Sequence, residues 1–322
     1  MIAVVGAGVM GSAAAWALRE RGAQVTLYEQ FELGHTRGSS HGRTRIVRLA
    51  YPEREWVLLA QEAMAAWREL ERRSGRTLVD LNGLVELSSD AALTSASVLA
   101  DAGIEHRVLD TDEARALGVD LPAGWVALWQ PDAGVVRADA AVEALRELSG
   151  AAVVKTRVDS PEELDADVVV VTAGPWVRRL VPDVPVRITR ETIAYFRREG
   201  APAPSVVELN AESRHALYAL HDPVHGLKAG VHHAGHETDP DVAEDADPHL
   251  VQQVAAWIEA RFPDVDPEAV GAETCVYTST VDESFVLERR GRVVVGSACS
   301  GHGFKFAPAV GRRLADLALA GG

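Results

Sequence analysis

Met1-Ile2-Ala3-Val4-Val5-Gly6-Ala7-Gly8-Val9-Met10-Gly11 opens the chain, and this stretch decides the fold. The apolar run at residues 2 to 5 predicts a buried strand. Residues 9 to 21 predict a helix with Ala13, Ala14 and Ala15 on its packed face, and Gln24 to Glu29 a second strand. Gly6-x-Gly8-x-x-Gly11 therefore falls between strand and helix, where residues without Cβ let backbone N–H groups approach a pyrophosphate at the helix N-terminus. Glu29 lies 18 positions past Gly11, at the tip of the second strand, placed to accept both hydroxyls of a ribose. The unit predicts dinucleotide binding and does not separate FAD from NAD. A ligand-free glycine turn is the alternative, and the acid in its expected place disfavours it.

Outward from this unit, Glu53 to Arg73 reads as a long amphipathic helix with Trp56, Ala60, Ala63, Trp67 and Leu70 at helical spacing and Ser74-Gly75 as its stop. Short strands at Leu84 to Leu87 and Val126 to Trp129 follow, with a helix after Thr111, whose hydroxyl, Asp112 and Glu113 suit an N-terminus. Ala152 to Val158 and the Val-rich Asp167 to Thr172 read as strands, the latter buried on both faces of a parallel sheet. Residues 187 to 279 are strand-rich, with one helix near His249 to Phe262. Val293 to Ala298 and the helix Ala307 to Ala320 restore strand-then-helix order. The fold class is α/β: a Rossmann-like nucleotide domain (1–79, 134–187 and 280–322) interleaved with an α+β substrate domain (80–133 and 188–279) built on a mixed or antiparallel sheet.

With 322 residues, 47% of them hydrophobic, the chain is long enough for two domains. Its formal charge of −15 argues against a nucleic-acid partner, because phosphate binding needs clustered Lys and Arg. Two cysteines, Cys275 and Cys299, provide no disulfide framework and no metal set of the Cys-x-x-Cys kind, which predicts a reducing cytoplasm and no metal. The first strand is expected to begin at Ile2, which leaves no room for a charged leader, and no apolar run approaches the roughly 20 residues of a membrane span. The expected partner is a small molecule.

Two further segments concentrate chemistry. Gly38-Ser39-Ser40-His41-Gly42-Arg43-Thr44-Arg45-Ile46-Val47-Arg48 gathers hydroxyls and three arginines. If not a solvated basic turn, a helical turn here directs Arg45 and Arg48, spaced i and i+3, to one side, one arginine reaching a carboxylate and the other lying by a cofactor. Near the other end, Ser300-Gly301-His302-Gly303-Phe304-Lys305-Phe306 sets a cation among glycines and aromatics ahead of the closing helix, which suits anion recognition beside a flat cofactor. The two termini are expected to meet at one ligand.

With these segments in view, the chain resembles the monomeric sarcosine oxidase and N-methyltryptophan oxidase family of flavin amine oxidases. The resemblance rests on the N-terminal fingerprint, Ser40 to Arg48, parts of Lys228 to Glu283, and Ser300 to Phe306. It implies FAD bound covalently through a cysteine thioether, oxidation of a secondary-amine amino acid by hydride transfer to the flavin, hydrolysis of the imine, and reduction of O₂ to H₂O₂. It implies a monomer as well.

Residue by residue, Cys275 in Thr274-Cys275-Val276-Tyr277-Thr278 matches the flavin-linked cysteine and precedes Lys305 by 30 positions, whereas a lone strand cysteine is more commonly core. Lys228 matches the lysine that promotes reaction with O₂, since a fixed charge beside the ring stabilises developing superoxide. Without its flanking match, a snorkelled surface lysine is the ordinary reading. Arg48 and Lys305 match the pair that clamps the substrate carboxylate. His41 and Arg45 match residues against the flavin, His232 an active-site histidine, and Tyr218 an active-site tyrosine. The resemblance also assigns Ser39, Ser40, Thr44, Val158, Gly301, Gly303 and Phe304 to the cofactor, alongside Gly6, Gly8, Gly11 and Glu29. Cys299 reads as packing.

The chain departs from that pattern in places. Arg43 stands where aspartate is common and Ser284 where histidine is frequent, and the hairpin expected between Val158 and Asp167 is nearly absent, which should expose adenine. Arg190 and Glu191 replace milder residues in a pocket-shaping strand and are expected to tune substrate size or charge. Other readings keep the fold: a primary-amine oxidase of the glycine or D-amino acid type, which lacks the Cys275 context, or a dehydrogenase that avoids O₂, which Lys228 disfavours. A flavin-binding scaffold or nucleic-acid-modifying protein fits the charge and the clamp least.

Overall fold

The computed structural model describes residues 1–89, 92–209 and 215–320. Ile2–Val5 is fully buried and pairs in parallel with Val25–Glu29 on one side and Val168–Val171 on the other. The sheet extends to Ala152–Lys155 beyond Val25–Glu29, and to Val293–Ser297 and the antiparallel edge Val286–Arg290 on the other side. Val168 to Val171 are buried throughout, as an all-valine strand between two parallel neighbours requires. The helix Val9–Glu20 packs against Ala307–Leu319. A Cβ on Gly311 would stand 2.5 Å from Ala13 backbone atoms, so only glycine permits this crossing.

The second sheet runs His236–Glu237, Arg187–Arg197, Gly226–Val231, Leu217–Asp222, Ser205–Leu209, Leu84–Ser88, Val126–Gln130, Arg107–Leu109, with Ala269–Ser279 also paired to Arg187–Arg197. It is antiparallel except where Ser205–Leu209 meets Leu84–Ser88. The helix Pro248–Arg261 covers it, burying Val254, Trp257 and Ile258. A small third sheet joins Thr44–Val47, Gly134–Arg137 and Val79–Asp80. Among the described residues, no helix is long and apolar enough to cross a membrane.

Two local expectations change and a third holds. Thr44–Val47 is a strand, so Arg45 and Arg48 do not share a helical face. The helix Thr111–Ala116 is capped one residue earlier: Asp110 accepts from the Glu113 N–H while the Glu113 carboxylate accepts from the Asp110 N–H. Between Val158 and Asp167 lies only the short 3₁₀ turn Pro161–Glu163.

Candidate active site

A single cavity of about 1280 Å³ runs from the N-terminal glycines to Lys305. It exceeds the roughly 300–1,000 Å³ typical of sites for drug-sized ligands, which suits a dinucleotide and a substrate together. At one end Gly6 has φ +99°, and a Cβ there would lie 2.5 Å from the Thr172 carbonyl oxygen; one on Gly11 would lie 1.8 Å from that of Gly6. The turn is closed to any other residue. Ser40 Oγ accepts from the Val9 N–H at 3.0 Å, holding the Ser39–Arg48 segment on the helix N-terminus. The Glu29 carboxylate, buried, accepts from the N–H groups of Ala7 at 2.9 Å and Phe31 at 3.0 Å. Those bonds, with His35, hold it below the usual carboxylate range against the opposing cost of burial.

The middle of the cavity is built on alternate residues of Ala269–Ser279. Glu273, Cys275 and Tyr277 share one face and all line it. Cys275 is buried, which raises its thiol pKa, while Arg45 and Lys228 pull the other way. The Lys228 ammonium donates to the Thr44 carbonyl at 2.6 Å. Burial, then the charge of Arg45, brings its pKa down to about 7. Arg45 donates to the carbonyls of Thr44, Ser39 and His41 at 2.9, 3.0 and 2.6 Å and lies over the Phe304 ring. Ser39 donates to the Val276 carbonyl. His41 is brought down to about 4, by burial first, and its Nε2 is buried with no hydrogen-bond partner. Thr44, expected at the cofactor, does not line the cavity: its carbonyl accepts from Lys228, and its hydroxyl is buried and unpaired. Val158 lines the nucleotide end.

At the far end, Lys305 is buried and donates to the Tyr51 hydroxyl at 2.9 Å and the His302 carbonyl at 2.7 Å. Burial and the neighbouring Arg48 hold its pKa well below that of an ordinary lysine. Arg48 stacks 4.4 Å from the centroid of the Tyr51 ring, which Lys305 also approaches, at 5.6 Å. Both expected clamp cations therefore flank one aromatic. Arg48 is not free, however: its Nη1 donates at 2.8 Å to Glu86, a fully buried carboxylate that also lines the cavity. Burial pushes Glu86 up and Arg48 pulls it back. Gly301 (φ +70°) lies under His232 and Tyr277, where a Cβ would stand 2.4 Å from the His232 ring. Gly303 sits so tightly on the Ala298 carbonyl that no side chain fits. His232 Nδ1 is 3.4 Å from the Tyr277 hydroxyl, and burial holds the ring well below its usual pKa. Tyr218 lines the same wall, its hydroxyl pKa raised by burial.

Some expectations fail here. Arg190 and Glu191 do not line the cavity. Arg190 donates to the Val242 carbonyl, and Glu191 accepts from the Thr189 hydroxyl at 2.6 Å and the Gly235 N–H at 2.9 Å. Cys299, expected to be packing alone, lines the cavity and packs in the cluster with Cys275. Arg43 makes a bidentate pair with buried Asp222. Sequence reasoning missed Glu86, Tyr51, Glu273, Tyr277 and His233. Glu86 left a signal, a lone charge in the apolar strand Leu84–Ser88. The three non-glycine residues at positive φ among those described, His233, Glu283 and Ser300, all lie in or beside the turns at this end.

A glycine cradle closed to side chains, a buried acid at the ribose position and the orphaned His41 Nε2 at mid-cavity define a dinucleotide-binding protein whose cavity has a cationic end. Comparison with known proteins narrows this. The family model described as FAD dependent oxidoreductase matches residues 1–317. The mouse peroxisomal sarcosine oxidase is 31% identical, over 98% of this chain and 91% of that protein. The monomeric sarcosine oxidase of Bacillus sp. (strain B-0618) is 30% identical, over 99% and 92%. Among solved structures, the open form of NikD, an unusual amino acid oxidase essential for nikkomycin biosynthesis, superimposes with a TM-score of 0.85 at 25% identity, covering 99% of this chain and 93% of NikD. The chain belongs to the FAD-dependent oxidoreductase family, within its sarcosine oxidase-like amine oxidases, and acts on a carbon–nitrogen bond with FAD as cofactor.

Proposed function

We propose that the protein oxidises a secondary-amine amino acid, of the N-methyl or cyclic type, at the end of the cavity closed by Arg48 and Lys305. Oxidation of an amine-bearing amino acid with O₂ as acceptor is the activity of the family to which the chain belongs. The observation that carries the finer reading is the pair of cations flanking Tyr51 beneath the Ser300–Phe306 loop. The substrate carboxylate lies between them, accepting charge-assisted bonds from both. Because burial disfavours the Lys305 ammonium, the carboxylate also supplies the counter-charge that keeps it protonated. FAD, when bound, would supply the hydride acceptor and the route for the electrons to O₂. Ile193, Val207, Leu209 and Leu220 line the wall and keep water from the reacting carbon. Arg45 and the protonated form of Lys228 place positive charge where O₂ gains electrons. His232, neutral, and Tyr218 shape the pocket around the amine.

We further propose that Cys275 forms the thioether to FAD, its S–H and a flavin C–H being replaced by the C–S bond and the two electrons passing to O₂; burial raises the thiol pKa, and the charges of Arg45 and Lys228 offset part of that rise. Gly6, Gly8, Gly11, Glu29, Ser39, Ser40, His41, Val158, Gly301, Gly303 and Phe304 complete the cofactor site. The parallel sheet with its flanking helices is the FAD-binding domain, and the larger sheet the substrate domain. Two free cysteines fit a reducing compartment, which we take to be cytoplasmic, and the resemblance favours a monomer. The test of the link is acid precipitation of the wild type and Cys275→Ala. Flavin stays with the wild-type pellet and is released from the variant; flavin retained by the variant removes the assignment.

A further inference from the structure

We propose that His232, His233 and Glu283 form a binding site for a divalent transition-metal ion of the zinc kind, placed so that a bound ion closes the substrate end of the cavity. One ring nitrogen from each histidine and one Glu283 carboxylate oxygen lie within 4.8 Å of one another. His233 Nε2 stands 3.5 Å from Glu283 Oε1. Two ligands about 2.0–2.1 Å from one tetrahedral ion are separated by roughly 3.3–3.4 Å, so this pair is already at ligand spacing, and His232 completes the set with a small ring movement.

Chemistry narrows the metal. Two imidazoles and one carboxylate are a borderline-soft set that suits Zn²⁺, Cu²⁺ or Ni²⁺ and not Mg²⁺ or Ca²⁺, which take oxygen ligands. Three protein ligands leave one position open. His233 Nε2 is buried, and its contact is the 3.5 Å ion pair with Glu283, which a bound metal ion would replace by bridging the two side chains. His232 Nδ1 faces the Tyr277 hydroxyl at 3.4 Å, a contact that orients the ring as second-sphere partners of metal-bound histidines do. The two halves come from separate turns. His232 and His233 follow the strand Gly226–Val231, and Glu283 sits in the turn after Ala269–Ser279. His233 and Glu283 both hold positive φ, at 59° and 60°.

All three residues line the cavity that ends at Lys305. The cations Lys305 and Arg48 oppose a dication there, whereas Glu283 itself and the cavity-lining Asp282 favour it. An ion held between the two turns joins them across the route to the clamp. The binding itself is independent of the proposed reaction; the occlusion rests on it.

The test is calorimetric titration of Zn²⁺ into purified, chelator-treated holoprotein, with His233→Asn, Glu283→Gln and Cys299→Ser alongside. Asparagine tolerates the left-handed backbone at 233. The expected result is one equivalent bound by the wild type and by Cys299→Ser, affinity lower by about tenfold or more in each of the other variants, and no binding of Mg²⁺. Absence of one-equivalent binding, equal affinity in all four proteins, loss only in Cys299→Ser, or equal binding of Mg²⁺ would each overturn the site. Zinc should also slow substrate-driven flavin bleaching, reversed by chelator; zinc bound at these residues with the bleaching rate unchanged removes the occlusion. Failure of every substrate to bleach zinc-free protein counts against the oxidase reading instead, and calorimetry still decides the metal site.

Discussion

Glu86 changes how the carboxylate clamp works. A guanidinium meant for a substrate anion is tied in the free protein to a fully buried carboxylate, so the incoming anion joins an existing pair. Glu86→Gln leaves Arg48 short of a counter-charge. Removing one partner of a buried pair costs about 3–5 kcal/mol, and the partial exposure of Arg48 trims this to roughly 2–4. A carboxylate ligand replaces the lost charge, so saturating acetate should raise the melting temperature of the variant more than that of the wild type. Equal shifts would mean that the anion does not bind at Arg48. At Lys228, Met keeps the length and removes the charge; reoxidation by O₂ should slow about 100–1,000-fold with substrate binding little changed, as stopped-flow traces would show. Sequence pattern reached Lys228, Arg48 and Lys305 through their neighbours. It missed Glu273 and Tyr277 because residues sharing a face with Cys275 carry no motif of their own, and only strand geometry brings them to the cavity.

At the scale of elements, the N-terminal unit was fully legible because backbone constraints write themselves into glycine spacing. Gly11→Ala would put a Cβ against the Gly6 carbonyl oxygen, so the purified variant should hold little flavin per chain by visible absorbance; normal occupancy would contradict the cradle. The segment at Thr44–Val47 was misread as a helical turn. Spacing alone cannot distinguish i and i+3 on a helix from a short strand, and the deciding partner, Gly134–Arg137, is remote in sequence. Helix starts show the same limit. Asp110, not Thr111, closes the capping box, and Asp110→Ala should cost about 1 kcal/mol in denaturant unfolding with the cofactor site untouched.

On the scale of the molecule, βαβ order and valine-rich strands made the nucleotide half readable, while the larger sheet, ordered by long-range pairing, yielded its strands but not their neighbours. Burying lysines in that framework has a pH signature. Lys228 titrates at about 7 in the fold and at about 10.5 when exposed, so between those values the unfolded chain binds the extra proton. Stability therefore rises with pH across that window, by up to about 1.4 kcal/mol per unit, and is lowest where the amine is charged in both states. The stability difference between wild type and Lys228→Met should shift in favour of the wild type from pH 7 toward pH 9. A flat difference would place the amine in solvent.

The most direct test of the whole account is anaerobic titration of the purified protein with N-methyl, cyclic and primary amino acids, followed by readmission of air. Bleaching by secondary amines alone, with colour restored by air, is the predicted result. Bleaching by primary amines in their place, or colour that air does not restore, would contradict it.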